Sequence, residues 1–223
     1  MKTTLVDYPG LVAATVFTYG CNLRCPYCHN PELVTGPPPD DLLSQEEVLA
    51  FLGRRKAILQ GVCLTGGEPL LHDWLPDFAG KIRQLGLKVK LDTNGLLPDR
   101  IAAVAADYVA MDIKTAPARY GQVGGAEHTA DLVRRAVEVV RCTASDYEFR
   151  TTVVEPIVGE DDIRAIVTLL RPGERYTLSA FRPGKTLDPA FANAAGPTTR
   201  LLEHCAELAH AAGLNVHIRE HHT

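Results

Sequence analysis

Three features that would indicate other classes of protein are missing from this sequence. No apolar stretch is long enough to span a bilayer. The formal net charge is -4 and the charged residues are interspersed, so no basic stripe is present that could follow a nucleic-acid backbone. Residues 1–10 lack the basic start and apolar core of a signal peptide. We therefore expect a cytoplasmic protein that binds neither membranes nor nucleic acid.

Cysteine is also scarce, with 6 residues among 223, and one group has a distinctive spacing. Cys21, Cys25 and Cys28 lie in the run GCNLRCPYCHN. Disulfide pairing would leave one thiol over, so it explains the group poorly. Three thiolates on one short loop suit three irons of a four-iron cluster, whose fourth iron stays open for chemistry. A zinc site completed by His29 is the alternative.

The hydrophobic pattern predicts an α/β fold. With 46% hydrophobic residues the chain can bury one sizeable core, so we expect a single domain over residues 1–223. A helix is expected to begin at the Ser44 capping box and end near Gly53, with others at 129–141 and 198–212. Alternating strands and helices predict parallel strands in a partial, TIM-like (β/α)6-type barrel. The predicted strands are residues 11–18, 61–64, 88–91, 108–111, 147–154, 176–178 and 215–218.

Unusual residues stand where the predicted strands end. The cysteine loop follows the first strand and GGEP at 66–69 follows the second, while DTNG at 92–95, DIK at 112–114 and FRPG at 181–184 follow later ones. Because the carboxyl ends of parallel strands meet on one face, we expect these segments to line one pocket. Its carboxylates, lysine and backbone amides would suit a zwitterionic ligand.

These segments carry a resemblance to a known family. The CxxxCxxC run with Tyr27 before its last cysteine, together with GGEP, resembles the radical S-adenosylmethionine (SAM) superfamily. Four segments resemble those of the proteins that activate glycyl radical enzymes: VDYPG, CPYCHNPEL, LDTNG and MDIK. Their sequences look closest to those of activators of anaerobic ribonucleoside-triphosphate reductase. The resemblance covers nearly the whole chain.

The resemblance implies an anaerobic oxidoreductase with a defined chemistry. Cys21, Cys25 and Cys28 would hold a [4Fe-4S] cluster that binds SAM and cleaves it to a 5′-deoxyadenosyl radical. That radical would abstract a hydrogen atom from a glycine Cα of a partner glycyl radical enzyme, most closely anaerobic ribonucleotide reductase. An electron donor such as flavodoxin or ferredoxin would reduce the cluster.

The resemblance also implies a set of residues around SAM. Asp92 and Lys114 would contact the ribose and carboxylate region, and some relatives place a monovalent cation among these oxygens. Asp7 would meet the incoming glycine loop. The full cofactor-binding set is Tyr27, His29, Gly66, Gly67, Glu68, Asp92, Thr93, Asp112, Lys114 and Arg150.

Several of these residues have a specific expected role. Gly66 and Gly67 would let the backbone approach the methionyl amino group, and a side chain at Gly67 would block the ligand. Glu68 would support that turn or accept from the ammonium. Tyr27 and the backbone of His29 would lie against adenine. Arg150 has two interpretations: a pair with the methionyl carboxylate, or a salt bridge inside the barrel.

Other functions stay open at this stage. Pyruvate formate-lyase activators carry a histidine in the segment where this chain has Arg182, which favours the ribonucleotide-reductase branch. Another glycyl radical enzyme, a small molecule or a peptide would be alternative substrates. A zinc-binding module that recognises a protein is the alternative without catalysis. Because Cys63, Cys142 and Cys205 form no second motif, we expect no auxiliary cluster.

Overall fold

The computed structural model describes residues 2–219. The strands in this range form one eight-stranded sheet. The strands are β1 (Lys2–Thr4), β2 (Ala13–Thr18), β3 (Gly61–Gly66), β4 (Lys88–Thr93), β5 (Tyr108–Asp112), β6 (Tyr147–Val153), β7 (Arg175–Ala180) and β8 (Asn215–Arg219). They are hydrogen-bonded in chain order, and β2 to β8 are parallel. Within the described residues β1 and β8 are the two edges, so the predicted partial barrel of parallel strands is confirmed.

Six α-helices connect the parallel strands of this part of the chain. They are α1 (Gln45–Arg55), α2 (Leu75–Gln84), α3 (Pro98–Val104), α4 (Thr129–Thr143), α5 (Glu160–Val167) and α6 (Thr199–Ala211). Ser44 and Glu47 form the predicted capping box at the start of α1. The prediction that Gly53 ends this helix is wrong, because α1 continues through Gly53 to Arg55. None of the helices described has the length and apolarity needed to cross a bilayer.

The seven predicted strands are all present, with ends shifted by up to two residues. The additional strand β1 pairs antiparallel with β2, with Lys2 opposite Thr15. A three-residue strand gives almost no periodic signal, and its position is decided by pairing with a distant segment.

The two faces of the sheet differ in chemistry because side chains alternate along each strand. Val62 and Leu64 of β3 and Val89 and Leu91 of β4 belong to the main apolar cluster, which includes residues of every α-helix. The alternate positions face the interior of the partial barrel and are largely polar. Cys63 and Lys90 are register partners there, with Lys90 Nζ 3.9 Å from Cys63 Sγ. The fold thus surrounds a charged interior with an apolar outer layer.

Candidate active site

The three cysteines of the CxxxCxxC run line one cavity of about 240 Å³ at the carboxyl ends of the strands. All six cysteines of the chain are free thiols, so the disulfide alternative is not realised. The Cys28 amide donates to the Cys25 carbonyl at 3.0 Å, which makes a tight turn between two of the three thiols. Burial raises the pKa of Cys25 to about 11, so metal binding there has to displace a proton.

The donor atoms of this cavity suit an iron–sulfur cluster, because thiolates are the usual protein ligands of such clusters. In the described part of the chain no group of three or more Cys, His, Asp or Glu side chains is arranged to hold one metal ion. The Leu23 amide donates to Cys21 Sγ at 3.4 Å, and hydrogen bonds to sulfur of this kind tune cluster potentials. The Nε2 atom of His29 lies 2.8 Å from the Arg182 carbonyl, and its ring stacks on Phe181. This contact occupies one of the two ring nitrogens of His29.

The cysteine loop is held against the GGEP turn by backbone contacts at Gly20 and Gly67. The Glu68 amide donates to the Gly20 carbonyl at 2.8 Å, and the Gly67 amide donates to the Thr18 carbonyl at 2.9 Å. A Cβ atom on Gly67 would lie 1.9 Å from the Gly20 oxygen. The expected need for glycine at Gly67 thus has a cause inside the protein: a side chain would collide with the loop that carries Cys21.

Glu68 supports this turn from a fully buried position. Its carboxylate accepts hydrogen bonds from the Leu70 amide at 3.1 Å, the Thr93 hydroxyl at 2.8 Å and the Asn94 amide at 2.7 Å. Burial raises the pKa of Glu68 to about 7, although these donors oppose the rise. Of its two expected roles, the structure shows the support of the turn, and Glu68 is not among the residues that line the cavity.

A chain of ion pairs crosses β4, β5 and β6 beside the cavity. Arg150 donates to both Asp112 at 2.8 Å and Asp92 at 3.0 Å, Lys90 contacts Asp92, and Lys114 lies 3.0 Å from Asp112. Burial alone would raise the pKa of Asp112, but the Arg150 and Lys114 charges outweigh it and hold that pKa well below its usual range. Arg150 therefore makes the salt bridges inside the barrel that were its second interpretation.

Most of the predicted residues are brought together in the cavity, but Glu68, Asp7 and Arg150 do not line it. The Tyr27 hydroxyl donates to the Lys114 carbonyl at 3.0 Å. Asp7 accepts from the Thr15 hydroxyl at 2.6 Å in the barrel interior, and neither Asp7 nor Arg150 is among the cavity-lining residues. Lining the cavity from the predicted set are Cys21, Cys25, Tyr27, Cys28, His29, Gly66, Gly67, Asp92, Thr93, Asp112 and Lys114.

Sequence reasoning missed Lys90 and gave Asn94 no role beyond its place in the DTNG segment. Asn94 donates to Asn22 at 2.8 Å and places its amide 4.0 Å from Cys21 Sγ. Lys90 is 1% exposed, although lysine in a strand is usually a surface residue. Its signal was the spacing of two residues to Asp92, which puts both side chains on one face of β4.

A second, larger groove opens from the same cavity. It has a volume of about 610 Å³ and shares His29, Asp112 and Thr152 with the cavity. Its remaining lining includes four basic side chains and comes from β6, β7, β8 and the segment after β7. That lining is Arg150, Ser179, Ala180, Arg182, Pro183, Gly184, Lys185 and Arg219.

Comparison with known proteins gives a consistent family. The model of the Radical SAM superfamily matches residues 15–170. A Methanocaldococcus jannaschii protein provisionally named a glycyl-radical enzyme activating enzyme is 27% identical over 96% of this chain and 91% of its own length. Shorter matches include a 7-carboxy-7-deazaguanine synthase of Methanopyrus kandleri, 35% identical over 43% of this chain and 46% of its own length. The pyruvate formate-lyase-activating enzyme of Clostridium pasteurianum is 36% identical over 49% of this chain and 48% of its own length.

Solved structures agree with the fold. SuiB of Streptococcus suis, bound to S-adenosylmethionine, superposes with a TM-score of 0.67 at 15% identity. The match covers 94% of this chain and 51% of SuiB. At this identity the likeness concerns the arrangement of strands and helices.

Proposed function

The chain belongs to the radical SAM superfamily, and from this premise we propose that it activates a glycyl radical enzyme, most closely anaerobic ribonucleoside-triphosphate reductase. SAM would be cleaved to a 5′-deoxyadenosyl radical that takes a hydrogen atom from a glycine Cα of the partner. The observation that carries the family chemistry is the cavity lined by Cys21, Cys25 and Cys28 beside the GGEP turn. The activating role is supported by the relative that matches over nearly the full length of both chains.

The chain's own residues would bind and orient the reactants. Cys21, Cys25 and Cys28 would hold a [4Fe-4S] cluster, which supplies the electron for cleavage of the carbon–sulfur bond of SAM. The backbone at Gly66 would receive the methionyl amino group, and Lys114 would face the carboxylate region. We further propose that Tyr27 and the backbone of His29 lie against adenine, and that Asp92 and Thr93 lie near the ribose.

The groove beside the cavity supports a macromolecular substrate. A glycine loop has to reach the cavity as an extended chain, and this groove is open, shares Asp112 and Thr152 with the cavity, and has about 610 Å³ of space. Asp7, which precedes β2 and is bonded to Thr15 of that strand, would meet the same loop. We place the reaction in the cytoplasm, with flavodoxin or ferredoxin as the electron donor.

A small-molecule radical SAM reaction is the second candidate. It is favoured by the match to a 7-carboxy-7-deazaguanine synthase, which extends over 43% of this chain. The two candidates differ in what they need for turnover: a small-molecule enzyme turns over without a protein partner, whereas an activase alone cleaves SAM slowly and without coupling.

The experiment is electron paramagnetic resonance on an anaerobic mixture. The protein is reconstituted with iron and sulfide, reduced with dithionite, and mixed with SAM and anaerobic ribonucleotide reductase. The expected result is a glycyl doublet together with 5′-deoxyadenosine. A Cys25→Ala protein should give neither signal. Cys142→Ala is its matched control, because Cys142 is exposed and outside the cavity. 5′-Deoxyadenosine without a doublet would redirect the search to another substrate. The absence of both signals in cluster-loaded protein would contradict the assignment of enzymatic activity.

A further inference from the structure

One lysine is buried in the barrel interior beneath the cavity. The Lys90 side chain is 1% exposed, and its ammonium contacts the Asp92 carboxylate and lies 5.8 Å from the centre of the Tyr108 ring. An ammonium in such a place is strongly destabilising unless it is paired. Asp92 is its only ion-pair partner among the described residues. Because Asp92 also lines the cavity, the buried charge of Lys90 acts directly on the binding site.

All four carboxylate oxygens of Asp92 and Asp112 already have a cationic donor. Lys90 takes Asp92 Oδ1 and Arg150 takes Asp92 Oδ2, while Arg150 and Lys114 divide the two oxygens of Asp112. Three cations therefore serve two carboxylates.

Two further carboxylates belong to the same interior. They do not form ion pairs with these five groups within the described residues: Asp7 is bonded to Thr15, and the Glu148 carboxylate accepts from Thr177 at 2.8 Å.

We propose that Lys90 is a built-in counter-ion, which makes a free monovalent cation unnecessary for SAM binding by this protein. A K⁺ or Na⁺ bound by Asp92 or Asp112 would need oxygens that Lys90, Arg150 and Lys114 hold, and it would lie beside these three cationic side chains. Loss of Lys90 would leave Asp92 Oδ1 buried without its donor, and a diffusible cation could then take that place. The inference rests on SAM binding alone and not on the identity of the partner.

The test compares SAM affinity with and without potassium. Cluster-loaded protein is dialysed anaerobically against labelled SAM in tetramethylammonium buffer or in potassium buffer of equal ionic strength. The native protein should show the same Kd in both, within about twofold. Lys90→Met should bind SAM at least about tenfold more weakly in tetramethylammonium and recover most of that loss in potassium. Lys88→Met, at an exposed position of the same strand, should behave like the native protein.

Two results would overturn the proposal. One is a native Kd that tightens severalfold with potassium, since Lys90 would then not replace the cation. The other is a Lys90→Met protein whose affinity does not respond to potassium. Thermal melting of the apoprotein is the second readout: the melting temperature of Lys90→Met should rise in potassium, and that of the native protein should not. If Lys90→Met does not fold in either buffer, Lys90→Gln is measured by the same criteria.

Discussion

Replacement of Gly67 by alanine tests the packing on which the whole site depends. The new Cβ atom would lie 1.9 Å from the Gly20 oxygen and 2.6 Å from its carbonyl carbon. Both are backbone atoms, so no side-chain rotation relieves the overlap, and the two loops must move apart by about 1 Å. That movement breaks the bond from the Glu68 amide to the Gly20 carbonyl and displaces the residue next to Cys21. We expect destabilisation of about 2–4 kcal/mol.

The assay has two parts. Urea unfolding of the apoprotein measures the loss of stability, and iron and sulfide analysis after anaerobic reconstitution measures whether the three thiols still hold a cluster. Gly80→Ala is the matched control, because Gly80 lies within α2 and its added Cβ would meet nothing within 4 Å. That control should be neutral or stabilising by up to about 1 kcal/mol. A Gly67→Ala protein with native stability and native iron content would refute the reasoning.

Three further predictions concern the thiols and the buried charges. Cys25→Ala should abolish 5′-deoxyadenosine formation and lower the bound iron, whereas Cys142→Ala should change neither; retained activity in Cys25→Ala would exclude the cluster assignment. Arg150→Met should destabilise the apoprotein by about 3–5 kcal/mol in urea unfolding, because two carboxylates lose a donor, while Arg134→Met at an exposed pair should stay within about 0.5 kcal/mol. The pKa of Glu68 is raised from 4.5 to about 7, so the native apoprotein binds this proton more tightly than the unfolded chain does. The contribution of Glu68 to the free energy of unfolding therefore falls as pH rises from about 4.5 to about 7, by at most about 3 kcal/mol. Glu68→Gln should remove that fall, and a pH profile identical to the native one would contradict it.

The sequence predicts the site where local chemistry decides the structure. The predicted strands 61–64 and 88–91 end two residues before β3 and β4 do, just ahead of Gly66 and Asp92, so the convergence of the cysteine loop, Gly66 and Asp92 on one cavity was predictable. The capping box at Ser44 is equally local. These features need only the alternation of side chains and the rule that parallel strands present their carboxyl ends on one face.

The pairing of the interior charges could not be predicted in the same way. Whether Arg150 of β6 reaches Asp92 as well as Asp112 depends on the register of β4, β5 and β6, and that register is set by packing across the whole sheet. The contact between Gly67 and Gly20 likewise joins two loops 47 residues apart and is a matter of distance in space. Strand β1 was not predicted from the sequence because three residues carry too little periodicity.

The most direct test of glycyl radical activation is the transfer of the hydrogen atom itself. Anaerobic ribonucleotide reductase is prepared with glycine deuterated at Cα and mixed with the reduced, cluster-loaded protein and SAM, and the 5′-deoxyadenosine is analysed by mass spectrometry. If the proposed function is right, the product carries one deuterium and its amount matches the glycyl radical formed. Unlabelled 5′-deoxyadenosine alone, from protein that holds its cluster and cleaves SAM, would contradict it.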